Sequence, residues 1–207
     1  MLVRERMISP ETRIIASLPI GSVIETFERS GELWLPVVDQ ESHLLGLITL
    51  REVMKAKELM ASEEQSGEEK LLAQDIMTDK YLFVNENSPM EEAARIMVDY
   101  DVPELPVVRD GYLTGIISDK IMLRVLLEIS GARRQGVRLM VELENTTGEL
   151  LSLLELIRSQ NGTIQGLCTY CAKENEYMIV TMRVDGVDKY VLKQMCQDAG
   201  KKVIDIR

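Results

Sequence analysis

Pro36-Val37-Val38, followed by Gly46-Leu47-Ile48-Thr49, comes back as Pro106-Val107-Val108 followed by Gly115-Ile116-Ile117-Ser118. A displacement of 70 residues also carries Met7 to Met77 and Pro19 to Pro89, and the second copy loses one residue in the turn before its glycine. A unit of this length has too little interior to bury its apolar face alone. It docks against its copy, and the docking leaves two related clefts along a pseudo-two-fold axis. Such clefts suit ligand binding better than catalysis.

Each copy reads as a helix, a hairpin and a closing helix. In the second copy Ser88-Pro89-Met90-Glu91 predicts a capped start, with Ser88 as the cap, Pro89 at the first helical position and Glu91 completing a capping box. Met90, Ala93, Ala94, Met97 and Val98 then make one buried stripe, matched by Ile20, Val23, Ile24 and Phe27. Strands are predicted over 36–38 and 44–48 and over 106–108 and 112–117, with polar turns at 39–43 and 109–111. Closing helices follow over 50–60 and 119–129.

Beyond Gly136 the period changes. Val137, Leu139, Val141 and Leu143 alternate with Arg138, Met140, Glu142 and Glu144, as in a half-buried strand. Thr146-Thr147-Gly148-Glu149 offers a capping box to a helix whose apolar face is Leu150, Leu151, Leu153, Leu154 and Ile157. Strands over 163–171 and 176–184, a helix over 187–199 and a strand over 202–206 complete a βαββαβ order, helices on one face of an antiparallel sheet. The fold class is α+β. The division is repeat 1 at 1–62, an acidic connector at 63–72, repeat 2 at 73–130, a linker at 131–136 and a third domain at 137–207.

The 207 residues, 45% of them apolar, are enough for a real core. No apolar run approaches the roughly 20 residues that cross a bilayer, and Met1 to Arg6 lacks a secretory apolar region, so a cytoplasmic protein is expected. Three cysteines read as free thiols in a reducing compartment. A net charge of -10 disfavours nucleic acid. Cys168 and Cys171 are three apart on a strand and face opposite ways, and only Cys196 and His43 remain as further ligands, in other domains. Core cysteines and no metal site are expected. His43 sits in a turn with no serine or cysteine near enough to activate, so no catalytic residue is assigned. Arg133 and Arg134 read as a solvated linker.

The Pro-Val-Val strand and the glycine turn into a helix, each present twice, resemble tandem CBS domains, a Bateman module, over residues 1–130. The strand Leu139 to Glu144, followed by Asn145-Thr146-Thr147-Gly148 into a helix, resembles an ACT domain. The order of the two is similar in plan to AcuB-type proteins, named for acetoin utilisation. What the resemblance implies is a regulatory adenosine-type ligand (AMP, ATP or S-adenosylmethionine) between the repeats, with no required cofactor. Thr49 would meet ribose or phosphate, Glu52 would take the ribose diol in place of the usual Asp, and Arg51 would contact phosphate. In the second copy Ser118 supplies the hydroxyl and Lys120 a cation, but Ile121 stands in the carboxylate position, so the Thr49/Glu52 site is expected to dominate. Val38 and Val108 complete the implied ligand contacts. Asn145 and Gly148 frame the loop where an ACT domain takes an amino acid, although Thr147 replaces the usual Pro. A homodimer signalling to a partner protein follows from the same resemblance.

A competing reading is available for the same residues. Thr49 and Ser118 stand where any helix wants a cap, and Glu52 would then complete a capping box. The protein would be an interaction scaffold with vestigial clefts.

Overall fold

The computed structural model describes residues 1–63, 71–172 and 176–207, so most of the expected acidic connector lies outside the described residues. The chain divides into two compact units, Met1–Met122 and Leu123–Arg207.

In the first unit each copy forms a three-stranded sheet. The first holds β1 (Ile14–Ile15), β2 (Trp34–Val38) and β3 (Leu44–Thr49), and the second holds β4 (Val84–Asn85), β5 (Glu104–Arg109) and β6 (Tyr112–Ser118). The hairpins β2-β3 and β5-β6 are antiparallel as predicted, and both shift register at the second valine of Pro-Val-Val. The short strands β1 and β4 add in parallel, pairing Ile14 with Val37 and Val84 with Val107. Two residues are too few to show a period, which is why the sequence did not mark them. Helix α1 (Ile20–Ser30) opens the first copy and α2 (Leu50–Glu63) closes it; α4 (Met90–Asp99) and α5 (Asp119–Ile129) do the same in the second.

The helix starts differ from expectation. Pro89 is the N-cap of α4, not its first residue, because its ψ of 149° is extended, and no side chain caps that end. Ser88 instead donates its amide to the Asn85 carbonyl. Pro19 caps α1 in the same conformation.

The segments ahead of the two copies are exchanged. Ala73, in the short helix α3 (Ala73–Ile76), is fully buried in the first copy's core with Ile14, Val23, Leu35, Val37, Ile48 and Val53. Its amide donates to the Leu18 carbonyl at 2.8 Å. In the same way the amides of Val3 and Arg4 donate to Ser88 and Glu86 of the second copy, with Val3 fully buried. Leu47 and Thr78 exchange both backbone hydrogen bonds, as do Ile8 and Ile116. These contacts explain the repeated Met and Gly. A Cβ on Gly46 would lie 2.6 Å from the Thr78 carbonyl oxygen and 2.9 Å from Met77 Sδ, and one on Gly115 would lie 2.7 Å from Met7 Sδ. The hairpin tips also meet across the copies: Leu44 donates to the Gly111 carbonyl and Leu113 to that of Ser42. Trp34, Val38, Leu44 and Leu47 pack there against Val108, Leu113 and Ile116.

The second unit holds β7 (Val137–Glu144), α6 (Glu149–Ser159), β8 (Thr163–Ala172), β9 (Tyr177–Asp185), α7 (Lys189–Asp198) and β10 (Lys202–Ile206), in the predicted βαββαβ order. The sheet order is β10-β7-β9-β8, antiparallel throughout. Leu139, Val141 and Leu143 of β7 meet Leu153 and Ile157 of α6 and Leu192 and Cys196 of α7, so both helices cover one face. Asp188 caps α7 by accepting from the amides of Tyr190 and Val191. The predicted box at α6 does not form: Gly148, at φ +95°, is its N-cap, and Glu149 pairs with Lys201 at 2.5 Å instead. Residues 131–136, read as a linker, include a close contact. A Cβ on Gly166 would lie 2.4 Å from the Gly131 nitrogen, so the chain after α5 is pressed against β8.

Candidate functional site: two clefts between the copies

Strands β2 and β5 begin at equivalent positions, with Trp34 in one copy and Glu104 in the other, and both residues line two clefts in the first unit. The first cleft, of about 340 Å³, is framed by Leu47, Val102, Pro103 and Pro106, with Thr49, Thr78, Lys80 and Tyr81 supplying polar groups. The second, of about 430 Å³, is framed by Ile8, Leu33 and Ile116, with Glu11, Glu32 and Lys120. The clefts are related by the internal repeat, since Leu47 answers Ile116 and Thr78 answers Ile8.

In the first cleft the Tyr81 hydroxyl donates to the Leu44 carbonyl at 3.0 Å, and burial pushes its pKa up, so it stays a neutral donor. Thr78 Oγ1 accepts from the Lys80 amide. Thr49 lines this cleft at the end of β3, but Glu52 does not. The Glu52 carboxylate turns back to accept from the Thr49 amide at 3.1 Å and from the Thr49 hydroxyl, and the residue is 8% exposed. It therefore serves as the capping-box acid, and Arg51, exposed, donates its amide to Thr49 Oγ1.

In the second cleft Lys120 lines the wall, whereas Ser118 is buried behind it and Ile121 is 5% exposed. Burial raises the Glu32 pKa against the lowering effect of Thr12, and burial followed by repulsion from Asp119 and Glu32 raises that of Glu104. Val38 and Val108 line neither cleft. They are 4% and 8% exposed in the core between the hairpin tips, which an inward-facing valine on a central strand fills by packing. The sequence reading missed Trp34, Glu32, Glu104, Lys80 and Tyr81. The available signal was the set of positions where the two copies disagree: Trp34 against Glu104, Tyr81 against Glu11, Lys80 against Pro10.

The remaining candidates lie elsewhere. His43 Nδ1 is 2.8 Å from Asp39 Oδ2 and its ring lies 4.1 Å from that of Tyr112; with Glu41 these groups come within 4.8 Å of one another. Asp39 Oδ1 accepts from the amides of Glu41 and His43, so the turn is held by its own hydrogen bonds. Cys196 is buried as expected of a core cysteine, but Cys171 is exposed and Cys168 half-buried, because β8 is an edge strand. In the second unit a cleft of about 430 Å³ is lined by Glu142, Glu144, Glu149, Tyr177, Lys201 and Lys202 and not by Asn145 or Gly148. Asn145 donates its amide to the Glu176 carbonyl. No helix among the described residues is long and apolar enough to cross a membrane.

Comparison with known proteins agrees with the repeat. The CBS domain family matches residues 3–59 and 73–128. The magnesium transporter MgtE of Thermus thermophilus is 33% identical over 94 residues, 45% of this chain and 18% of the transporter. Among solved structures, CBSX2 in complex with AMP matches at 25% identity and TM-score 0.51 over 62% of this chain and 97% of that one. An acetoin utilisation protein (AcuB) from Vibrio cholerae matches at 19% identity and TM-score 0.53 over 65% and 98%, a likeness of fold alone. The chain spans less than half the length of the first curated relatives it matches.

Proposed function

The chain belongs to the CBS domain family, and from that premise we propose that it is a regulatory sensor whose Thr49 cleft takes an adenosine-type ligand, AMP being the first to test. The observation that carries this reading is the make-up of that cleft: apolar walls from Leu47, Val102, Pro103 and Pro106 suited to a base, beside one lysine suited to a phosphate and three hydroxyls with the Glu104 carboxylate suited to a ribose. A volume of about 340 Å³ favours a mononucleotide over a dinucleotide, ligand pockets running from about 300 to 1,000 Å³. Lys80 supplies the phosphate contact as a point charge, and Thr49 a hydrogen bond at the start of α2. The AMP complex of CBSX2 supports the ligand class.

Binding favours one arrangement of the two copies, and coupling of about 1 to 3 kcal/mol is what such a ligand can transmit. The second unit, read as a dimeric ACT domain on its βαββαβ plan, passes the signal to a partner protein; the acetoin connection rests on the domain order read from the sequence. Amino-acid binding at Asn145–Gly148 belongs to the same reading, as does a cytoplasmic location. The turn of Glu52 back onto Thr49 favours the scaffold alternative, because it removes the carboxylate expected on the ribose. Thermal unfolding with AMP separates the two. At 100 times its dissociation constant AMP adds about 2.7 kcal/mol, a shift of several degrees that Lys80→Met reduces. No shift with AMP, ATP or S-adenosylmethionine leaves the scaffold.

A further inference from the structure

Arginines gather at one end of the sheet in the second unit. Arg138 on β7 lies directly opposite Arg183 on β9, and on its other side it exchanges both backbone hydrogen bonds with Arg207, just past β10. Like charges set opposite one another on neighbouring strands oppose pairing, so this row costs stability. One carboxylate, that of Asp205, accepts from Arg138 and Arg207 and leaves Arg183 out. Arg183 donates instead to the Gly136 carbonyl at 2.8 Å, and its Nε is buried without a partner.

The chain ahead of β7 brings three more. Helix α5 ends in a turn where the amides of Gly131 and Ala132 donate to the carbonyls of Glu128 and Leu127, so backbone groups satisfy that helix end and the arginines beyond it are not needed as caps. Gly131 packs against Gly166, the strand neighbour of Arg183, and the same stretch borders a cavity of about 360 Å³ lined by Arg124, Leu127, Glu128, Arg133 and Arg134. Among the described residues, none of these three guanidinium groups has a hydrogen-bond or ion-pair partner. Segments 124–138, 183–185 and 205–207 hold six arginines against three carboxylates, Glu128, Asp185 and Asp205, in a chain whose net charge is -10. A local excess of one sign, against the sign of the whole, raises the concentration of the opposite ion at that place.

We infer that the cavity at the end of α5 is an anion site, built for a ligand with at least two phosphoryl or carboxylate groups, one held by the forks of Arg133 and Arg134 and the other by Arg124. A guanidinium fork meets either group through two parallel hydrogen bonds, which a lysine cannot do. The row of Arg138 and Arg183 adds to the field, and Leu127 seats the apolar link between the two groups. The site shares no residue with the Thr49 cleft and goes beyond the reading of that cleft.

The test is calorimetry on the full chain at low ionic strength in metal-free buffer, with pyrophosphate as the phosphoryl probe and citrate as the carboxylate probe. Inorganic phosphate and acetate are the single-group controls. At least one probe binds tenfold or more tightly than its control and loses tenfold or more with Arg133→Gln/Arg134→Gln, while Lys80→Met leaves its affinity intact. Arg133→Lys/Arg134→Lys keeps the charge without the fork and recovers only part of the loss. Both arginines are exposed, so these variants keep the melting temperature of the parent chain. No binding of either probe, equal binding of probe and control, or an affinity that Arg133→Gln/Arg134→Gln leaves unchanged overturns the inference. So does full recovery by the lysine variant, which would leave a diffuse field and no site.

Discussion

The two clefts come from one backbone frame, yet only the frame is shared. Where backbone meets backbone the copies agree: Met7 and Met77, Gly46 and Gly115, Pro36 and Pro106 occupy equivalent places. Where side chains line the clefts they have parted, with Tyr81 and Val102 of one opposite Glu11 and Glu32 of the other, while Trp34 and Glu104 line both. Close packing tolerates little change, because an added methylene inside it forces a shift of its neighbours. A cleft wall tolerates much, and its charge selects the ligand. Duplication thus supplies two clefts, and divergence at a few positions makes one of them the more acidic, with Glu11 and Glu32 where the other has Tyr81 and Val102.

The largest effect that sharpens this comparison is in the frame. Gly46→Ala places its Cβ 2.6 Å from a backbone oxygen, while Gly115→Ala meets the Met7 side chain, which can turn aside. Urea unfolding should give a loss of about 3 kcal/mol for the first and about 1 kcal/mol for the second. Equal losses would mean that the two exchanged segments are held alike. Next comes Thr49→Val. It removes a cleft hydroxyl and a cap, and should weaken AMP by about 10-fold or more while lowering stability by about 1 kcal/mol. An unchanged AMP affinity would leave Thr49 a cap only.

Glu104→Gln acts in the other direction. The raised carboxyl of Glu104 favours the fold in its protonated form, so its contribution is complete below the ordinary value of 4.5 and is lost as pH rises through the raised one. At neutral pH the charged group opposes folding, and replacing it should stabilise the chain by under about 1 kcal/mol, partial solvent screening keeping the gain small. That gain shrinks as pH falls toward 4.5. The smallest effect is Arg51→Ala. Arg51 is exposed and lines neither cleft, so AMP affinity should stay within about twofold, a change of under 0.5 kcal/mol of the kind surface substitutions give.

Much of the fold was legible because its signals are local. Two hairpins, their flanking helices and the alternation through β7 follow from periods of 2 and 3.6 residues in the chain. The exchange of Met1–Ile8 and Leu71–Thr78 between the copies was not legible, since it depends on pairings such as Val3 with Ser88 that no period encodes. At the site, the resemblance to the CBS family pointed to Thr49 and Lys120, and both line clefts. Glu52, Val38 and Val108, which the resemblance gave as ligand contacts, line neither cleft, because a motif fixes a position along the chain, whereas the cap at Thr49 and the core between the hairpin tips decide where those side chains go. Trp34 and Glu104 escaped because the reading sought agreement between the copies, and their importance lies in their difference.

The most direct measurement is a calorimetric titration of AMP into the chain and into its Lys80→Met variant. One isotherm for AMP, with an affinity that Lys80→Met weakens by about 10-fold or more, is the predicted result. No binding of AMP, or an affinity that Lys80→Met leaves unchanged, would contradict the account of the Thr49 cleft as an adenosine-type site.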